Sequence, residues 1–449
     1  MEDIQKKKKV TEYIGTIELF RGELNRNDQK NREKSWLVDY LNVLGKLATE
    51  IGETDILQRL DNYSGGYEEV EFFFPTIMEN GDFHTERKLI LMVTHELSRT
   101  GAPVVFLDAA KILKANGYDV LMISPMDGPL RKEICDAGIP VFIDHHLLLG
   151  RCEQAYLREA HQYQNWPVDI LVSCADSVIL NTACLHNAVE RYMTYGKPIY
   201  WWLHEGNVSF EAFGDCLPEK LTENVKVLYV SEYVRTQMEA SGIYYPGDVF
   251  HYGVEDFAKN HSASEKMARE DQVKFICVGA VCKRKGQDLL LDAIHRLPME
   301  YLKKSQFYFV GGKADSDLYD RIDMLQNGCD FIHLCSSMKR DELMKFYEDI
   351  DFILCPSRDD PLPVVLTEMM ILSKPCVISE HTGTATLMRD GEQGYIIRND
   401  DVEHLVEVIM KCIEHPELGE SMGKNARKIY EERLTMDVFQ TNLLSIIKD

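Results

Sequence analysis

Residues 352–380 read FILCPSRDDPLPVVLTEMMILSKPCVISE, and the rest of the chain falls into place around them. The apolar run Phe352-Ile353-Leu354-Cys355 predicts a buried parallel strand. A polar loop follows, from Pro356 to Asp360. Pro361 and Pro363 come next, and proline suits the start of a helix, where the N–H groups lack partners anyway. Val364 to Leu372 predicts that helix, Lys374-Pro375 stops it, and Cys376-Val377-Ile378 opens another strand. Strand, loop, helix and strand make one turn of a doubly wound α/β domain. The loop then sits at the carboxyl end of a strand and faces a helix start, where open α/β sheets bind ligands and anions are favoured. Asp360 and Glu368 flank that start, and a carboxylate there can accept hydrogen bonds from sugar or ribose hydroxyls. The spacing equally allows Asp360 to be an N-cap and Glu368 a solvated helix residue.

A chain of 449 residues exceeds one ordinary core, so two or more domains are expected. A hydrophobic content of 45% with 27% charged residues belongs to a soluble globular protein. The formal net charge of −23 argues against nucleic acid as a general partner. No apolar run approaches the ~18 residues of a membrane span. Lys6 to Lys9 make a basic start, but the residues from Val10 onward are too polar for a signal-peptide core. The twelve cysteines form no CxxC pair, which points to reduced thiols in a cytoplasmic protein and to no zinc site.

Residues 1–86 predict a helical N-terminal extension with Ser35 as an N-cap and no chemistry of its own, suited to packing on the main body or meeting a partner protein. An N-terminal Rossmann-like domain is expected over 87–256. Its predicted strands are Lys88–Thr94, Asp119–Ser124, Val141–Ile143, Asp169–Cys174, Ile199–Leu203 and Val225–Val230. The segment Ser177–Met193 predicts a helix between two of them. The loop Thr100-Gly101-Ala102 precedes a helix from about Val104, and His204 ends a strand at the edge where sites form. A linker over 257–272 leads to a C-terminal domain over 273–434. That domain opens with the strand Val273–Gly279 and the turn Lys283-Arg284-Lys285-Gly286, whose cations suit a diphosphate. A final helix occupies 435–449.

The segment SRDDPLPVVLTEMM resembles the signature of the family-four retaining glycosyltransferases of GT-B fold, Glu-x7-Glu with a Pro- or Gly-rich segment between the acids. The resemblance implies an α/β GT-B architecture, two Rossmann-like doubly wound domains facing across a cleft, with the last helix returning to the first domain. Asp360 and Glu368 take the two acid positions, with Asp in place of the first Glu. The resemblance gives Asp360 to the donor-sugar hydroxyls and Glu368 to the nucleotide ribose, with Leu362, Pro363 and Val364 lining the segment between. It also gives Lys285 to the diphosphate, Gly101 to the first loop, Gly383 to a glycine near the donor, and His204 to the reacting centre. Ala280 stands where the family has arginine, so Arg284 is the candidate to supply that charge, and Thr386 stands where the family has Glu.

The implied activity is metal-independent transfer of a sugar, with retention, from a UDP- or GDP-linked nucleotide sugar to a saccharide or lipid-linked acceptor. No further cofactor and no nucleic acid are implied. Cell-surface polysaccharide or glycoconjugate synthesis fits, as does peripheral contact at the inner membrane face through Lys6–Lys9. The departures at Ala280 and Thr386 motivate an alternative, a non-catalytic GT-B subunit that stabilises a partner glycosyltransferase. A nucleotide-sugar epimerase of the same fold suits the motifs less well.

Overall fold

The computed structural model describes residues 83–144, 147, 167–260 and 272–448, with short pieces between 37 and 46 and at 70–73. The N-terminal extension, including Ser35 and Lys6–Lys9, and residues 261–271 of the linker lie almost wholly outside the described residues. The described chain forms two compact units. The first holds everything up to His204 together with Phe210–Leu228 and Ile243–Asp248. The second holds Glu205–Ser209, Tyr229–Gly242 and everything from Val249 onward.

The first unit is built on a sheet of eight strands: β1 (Val70–Phe73), β2 (Leu89–Val93), β3 (Asp119–Ser124), β4 (Val141–Asp144), β5 (Ser177–Asn181), β6 (Ile199–Leu203), β7 (Val225–Tyr229) and β8 (Gly247–Val249), in the order β1-β4-β3-β2-β5-β6-β7-β8. Strands β4, β3, β2, β5 and β6 run parallel, and β1 pairs antiparallel with β4. Every residue of β2 through β6 is buried, which is why these strands read as continuous apolar runs rather than as alternating ones.

One expectation fails here. Asp169–Cys174, read as a strand, lies in the helix Pro167–Cys174, and Ser177–Asn181, read as the start of a helix, is β5. Both segments are short apolar runs, whose periodicity does not separate helix from strand. Tertiary pairing decides: Val178 to Asn181 face Ile199 to Trp202 of β6 residue for residue.

The second unit carries β9 (Val273–Val278), β10 (Ser305–Val310), β11 (Ile332–Cys335), β12 (Phe352–Cys355), β13 (Cys376–Ser379) and β14 (Gly394–Ile397), all parallel, in the order β11-β10-β9-β12-β13-β14. Phe275, Phe307 and Phe352 stack across β9, β10 and β12 with ring centroids 5.1 and 5.7 Å apart. The helix Val364–Ile371 is buried from Leu366 to Ile371, which explains its lack of a polar face. The chain winds outward from β9 through β10 and β11, then crosses back to β12, so β9 and β12 flank the switch point of a doubly wound sheet. Among the described residues no helix is long and apolar enough to cross a membrane.

At the end of the basic turn, Gly286 has φ +71°, and a Cβ there would lie 2.0 Å from the carbonyl oxygen of Pro356. The position requires glycine twice over, for its left-handed backbone and for the close approach of a rigid carbonyl. Gly286→Ala is expected to lower the unfolding free energy by about 2 kcal/mol or more, read as an earlier urea midpoint at unchanged m-value. A midpoint within error of wild type would contradict this packing.

Candidate functional site

The site of the second unit is made by two connections, the basic turn after β9 and the loop after β12, which exchange hydrogen bonds. Arg284 donates through its guanidinium to the Asp359 carbonyl at 2.7 Å, and the Arg358 N–H donates to the Arg284 carbonyl at 2.9 Å. Arg358 forks onto both carboxylate oxygens of Asp288, at 2.8 and 2.9 Å, and reaches Asp400 at 2.6 Å. A bidentate guanidinium fixes direction as well as distance, so the loop is held at its root.

Its tip places Asp360, 6% exposed, in an ion pair with the Lys285 ammonium. Burial pulls the Lys285 pKa down, but Asp360 beside it more than compensates, so the ammonium is held above its ordinary value. The Asp360 backbone is pinned as well. Its N–H donates to the His381 carbonyl at 3.0 Å, and its carbonyl accepts from the Gly383 N–H at 2.8 Å. Gly383 is needed for this approach, since a Cβ would lie 1.6 Å from the Pro361 carbonyl oxygen.

The two prolines remove two N–H groups from the loop, and its carbonyls are taken by hydroxyls. Ser231 Oγ donates to Pro361 O at 2.6 Å, and the buried Tyr252 hydroxyl donates to Leu362 O. Pro363, with φ −66° and ψ 121°, occupies the N-cap of the helix Val364–Ile371. Asp360 is therefore not the cap, and the reading of Glu368 as a solvated helix residue also fails, because Glu368 is 5% exposed. Tyr347 donates its hydroxyl to Glu368 at 3.3 Å, and the Arg340 guanidinium lies 3.6 Å from it. Burial pushes the Glu368 carboxyl up to about 7, against the opposing pull of Arg340 and Tyr347.

Of the residues singled out in the sequence, Lys285, Arg284, Asp360, Leu362, Pro363, Val364, Glu368 and Gly383 gather at the carboxyl ends of β9, β12 and β13. Gly101 and His204 lie in the first unit. Gly101 opens the helix Gly101–Ala115, and a Cβ there would meet nothing within 4 Å, so no crowding demands glycine. His204 follows β6 with its ring 4.5 Å from that of Trp202. Burial, with a smaller push from His95, lowers it to about 3, and the imidazole is neutral at physiological pH.

Sequence reasoning missed Asp359, which is 3% exposed. It accepts from the Tyr233 hydroxyl and from the Val208 N–H, each at 3.0 Å, and a Cβ on Gly206 would lie 1.7 Å from its Oδ1. The pair Asp359-Asp360 carries no signal for which carboxylate turns inward, and the partners of Asp359 are far away in sequence. Tyr347 and Arg340 were missed for the same reason. Among the described residues no group of three or more His, Cys, Asp or Glu side chains is placed to hold a metal ion.

Two doubly wound sheets, the second with a buried lysine–aspartate pair at its switch point and a buried glutamate on the following helix, make up a fold of GT-B type. Comparison with known proteins agrees. The pattern of "Glycosyl transferases group 1" matches residues 259–429, and that of "Glycosyl-transferase family 4" matches 86–238. A glycosyltransferase of Methanocaldococcus jannaschii is 27% identical over 46% of this chain and 55% of its own length, so the chain spans about half of that relative. Spore coat protein SA of Bacillus subtilis is 22% identical over 80% of this chain and 98% of its own. The Anabaena protein HepE, solved with UDP-glucose, superposes with a TM-score of 0.62 at 16% identity, over 80% of this chain and 99% of that one, a likeness of fold. The chain belongs to the group 1 glycosyltransferases with the GT-B fold.

The raised Glu368 carboxyl has a consequence for stability. The folded protein binds this proton more tightly than the unfolded chain does, so the contribution is greatest below the ordinary value of 4.5 and is lost as pH rises through about 7. At 1.36 kcal/mol per pKa unit the loss between pH 4.5 and 8 is on the order of 3 kcal/mol. Glu368→Gln is expected to flatten the pH dependence of the unfolding free energy by about that amount. Parallel profiles for the two proteins would contradict the burial assigned to this group.

Proposed function

We propose that this glycosyltransferase acts with retention and without a metal, moving a sugar from a UDP- or GDP-linked nucleotide sugar to a hydroxyl of a saccharide or lipid-linked acceptor in cell-surface polysaccharide or glycoconjugate synthesis. The observation that carries the reading is the buried pairing of Lys285 with Asp360 beside the start of the helix Val364–Ile371. Lys285 and the amino end of the helix offer positive charge to a diphosphate, and Asp360 offers an acceptor to the hydroxyls of the attached sugar. Glu368 accepts from the ribose, and neutral His204 offers a hydrogen bond to the reacting sugar. In the proposed step the bond between the anomeric carbon and the diphosphate oxygen breaks. The acceptor oxygen bonds to the same carbon on the same face, and its proton passes to the departing diphosphate. The UDP-glucose in the HepE complex supports a UDP-linked donor.

Ala280 and Thr386 favour the second reading, a non-catalytic subunit. Thr386 Oγ1 donates to the Gly383 carbonyl at 2.6 Å, so it serves the local turn instead of a substrate.

The test is nucleotide release from UDP-, GDP-, ADP- and dTDP-sugars in the presence of EDTA. Slow release from one donor is expected, with at least a tenfold loss in Lys285→Ala. Neither binding nor release of any nucleotide would leave the non-catalytic reading standing. In the same assay His204→Ala is expected to lower turnover by more than it weakens donor binding, and equal losses in both would remove it from the reacting centre.

A further inference from the structure

The buried carboxylates of the second unit's site, Asp359, Asp360 and Glu368, are not equally satisfied. Asp360 has the Lys285 ammonium, and Asp359 has the Tyr233 hydroxyl and the Val208 N–H. Glu368 is as deeply buried and has less. Its Oε2 accepts from the Tyr347 hydroxyl at 3.3 Å, a long reach for an O–H donor. Its Oε1 stands 3.6 Å from Arg340 Nε, beyond hydrogen-bond reach, and the guanidinium is half exposed. Among the described residues its carboxylate takes no further hydrogen bond. Glu368 also begins the last turn of the helix Val364–Ile371, the end whose carbonyl dipoles repel an anion. An ionised carboxylate sheltered from water needs several donors, and this one is short of them.

The elements around this helix do little to correct the shortfall. The helix Arg340–Glu348 contributes Arg340 and Tyr347, while its Asp341, Glu342 and Lys345 are exposed. Tyr252 lies near both Asp360 and Glu368, with its hydroxyl committed to the Leu362 carbonyl. Arg427 of the helix Leu418–Ile429 is committed to Asp256, Glu431 and the Ile371 carbonyl. Arg433, in the turn after that helix, lies beside His251. Strands β12 and β13 bring Cys355 and Cys376, thiols that burial keeps protonated, as it does the two tyrosines. Burial therefore holds the proton on Glu368 up to about pH 7, with Arg340 the largest opposing influence.

We propose that binding of the nucleotide sugar expels a proton from Glu368, and that Arg340 is the positioning residue that sets the pH at which this happens. The proposal rests on the reading of Glu368 as the partner of the ribose and deepens it. A ribose brings two neighbouring hydroxyls, the donors that this carboxylate lacks. The ionised form can accept from both, whereas the protonated form has one lone pair fewer and a hydrogen in the way. The ligand thus favours the ionised form, the proton leaves to solvent, and by reciprocity acid weakens the ligand. Donor occupancy then falls as the surroundings acidify, although the diphosphate itself keeps its charge.

The experiment is titration calorimetry of the nucleotide sugars UDP-glucose and GDP-mannose, between pH 6 and 8, in buffers of different ionisation enthalpy. An intact nucleotide sugar has no phosphate proton to lose in this range, so a released proton comes from the protein. The proteins are wild type, Glu368→Gln, Arg340→Gln and Arg340→Lys. Wild type is expected to release about half a proton per donor bound at pH 7, with a Kd about tenfold weaker at pH 6 than at pH 8. Glu368→Gln binds with no proton release and a Kd constant within twofold over the same range. Arg340→Gln moves the midpoint of the Kd profile up by about one pH unit, and Arg340→Lys, which keeps the charge, moves it less. A purely structural role for Arg340 would weaken binding equally at every pH, and that result overturns its assignment. A wild-type Kd constant within twofold from pH 6 to 8, or proton release that survives in Glu368→Gln, overturns the coupling. If Glu368→Gln does not fold, the wild-type profile and the two Arg340 variants still decide. A wild type that binds neither nucleotide sugar at any pH fails earlier, on the glycosyltransferase reading, and the proposal falls with it.

Discussion

The buried pair of Lys285 and Asp360 is the constraint on which the second unit's site depends. Two opposite charges shielded from water attract strongly, but each has given up its hydration, and removal of either would leave the other uncompensated at a cost of about 3–5 kcal/mol. Such a pair persists only where its geometry is over-determined. Here the over-determination is visible residue by residue. Arg358 ties the loop root to Asp288 and Asp400, Arg284 holds the Asp359 carbonyl, and Gly286 and Gly383 let two backbones approach where a methyl group would not fit. The pair then offers a charge of each sign at one strand edge without rearrangement.

The two sheets solve similar topological problems with opposite chemistry. Both are doubly wound and both expose the ends of their central strands at a switch point. In the second the crevice is ionic, with a lysine, two aspartates and a glutamate, all largely buried. In the first, burial suppresses the charging of two imidazoles, His95 and His204, and a carboxylate beside them, that of Glu96, lies 3.7 Å from His95 Nε2.

Much of this was legible in the sequence where a single local signal decides. Phe352–Cys355, Val364–Ile371 and Cys376–Ser379 fall where the apolar runs and prolines placed them, because a strand buried on both faces and a proline stop leave few alternatives. Legibility ended where the outcome depends on partners far away in the chain. Asp169–Cys174 and Ser177–Asn181 exchanged their expected roles because pairing with β6 outweighs local propensity. Asp359 could not be told from Asp360 until Tyr233 and Val208 were seen to meet it. The backbone of Thr182, at φ +87°, leaves no trace in composition at all, since nothing about a threonine announces a positive φ.

The hydroxyls that satisfy the proline-rich loop have a bearing on how the protein can be taken apart. Ser231 and Tyr252 serve the carbonyls of Pro361 and Leu362, Tyr233 serves Asp359, Val254 accepts from Tyr430, and Asp256 pairs with Arg427. All of these helpers precede residue 257, yet all belong to the same compact unit as the loop. A fragment that began at Val273, where the primary structure invites a cut, would keep Lys285, Asp360 and Glu368 and lose the scaffold that orients the loop between them. The second unit is therefore modular in its sheet but not in its chain, and its natural borders are contacts, not linkers.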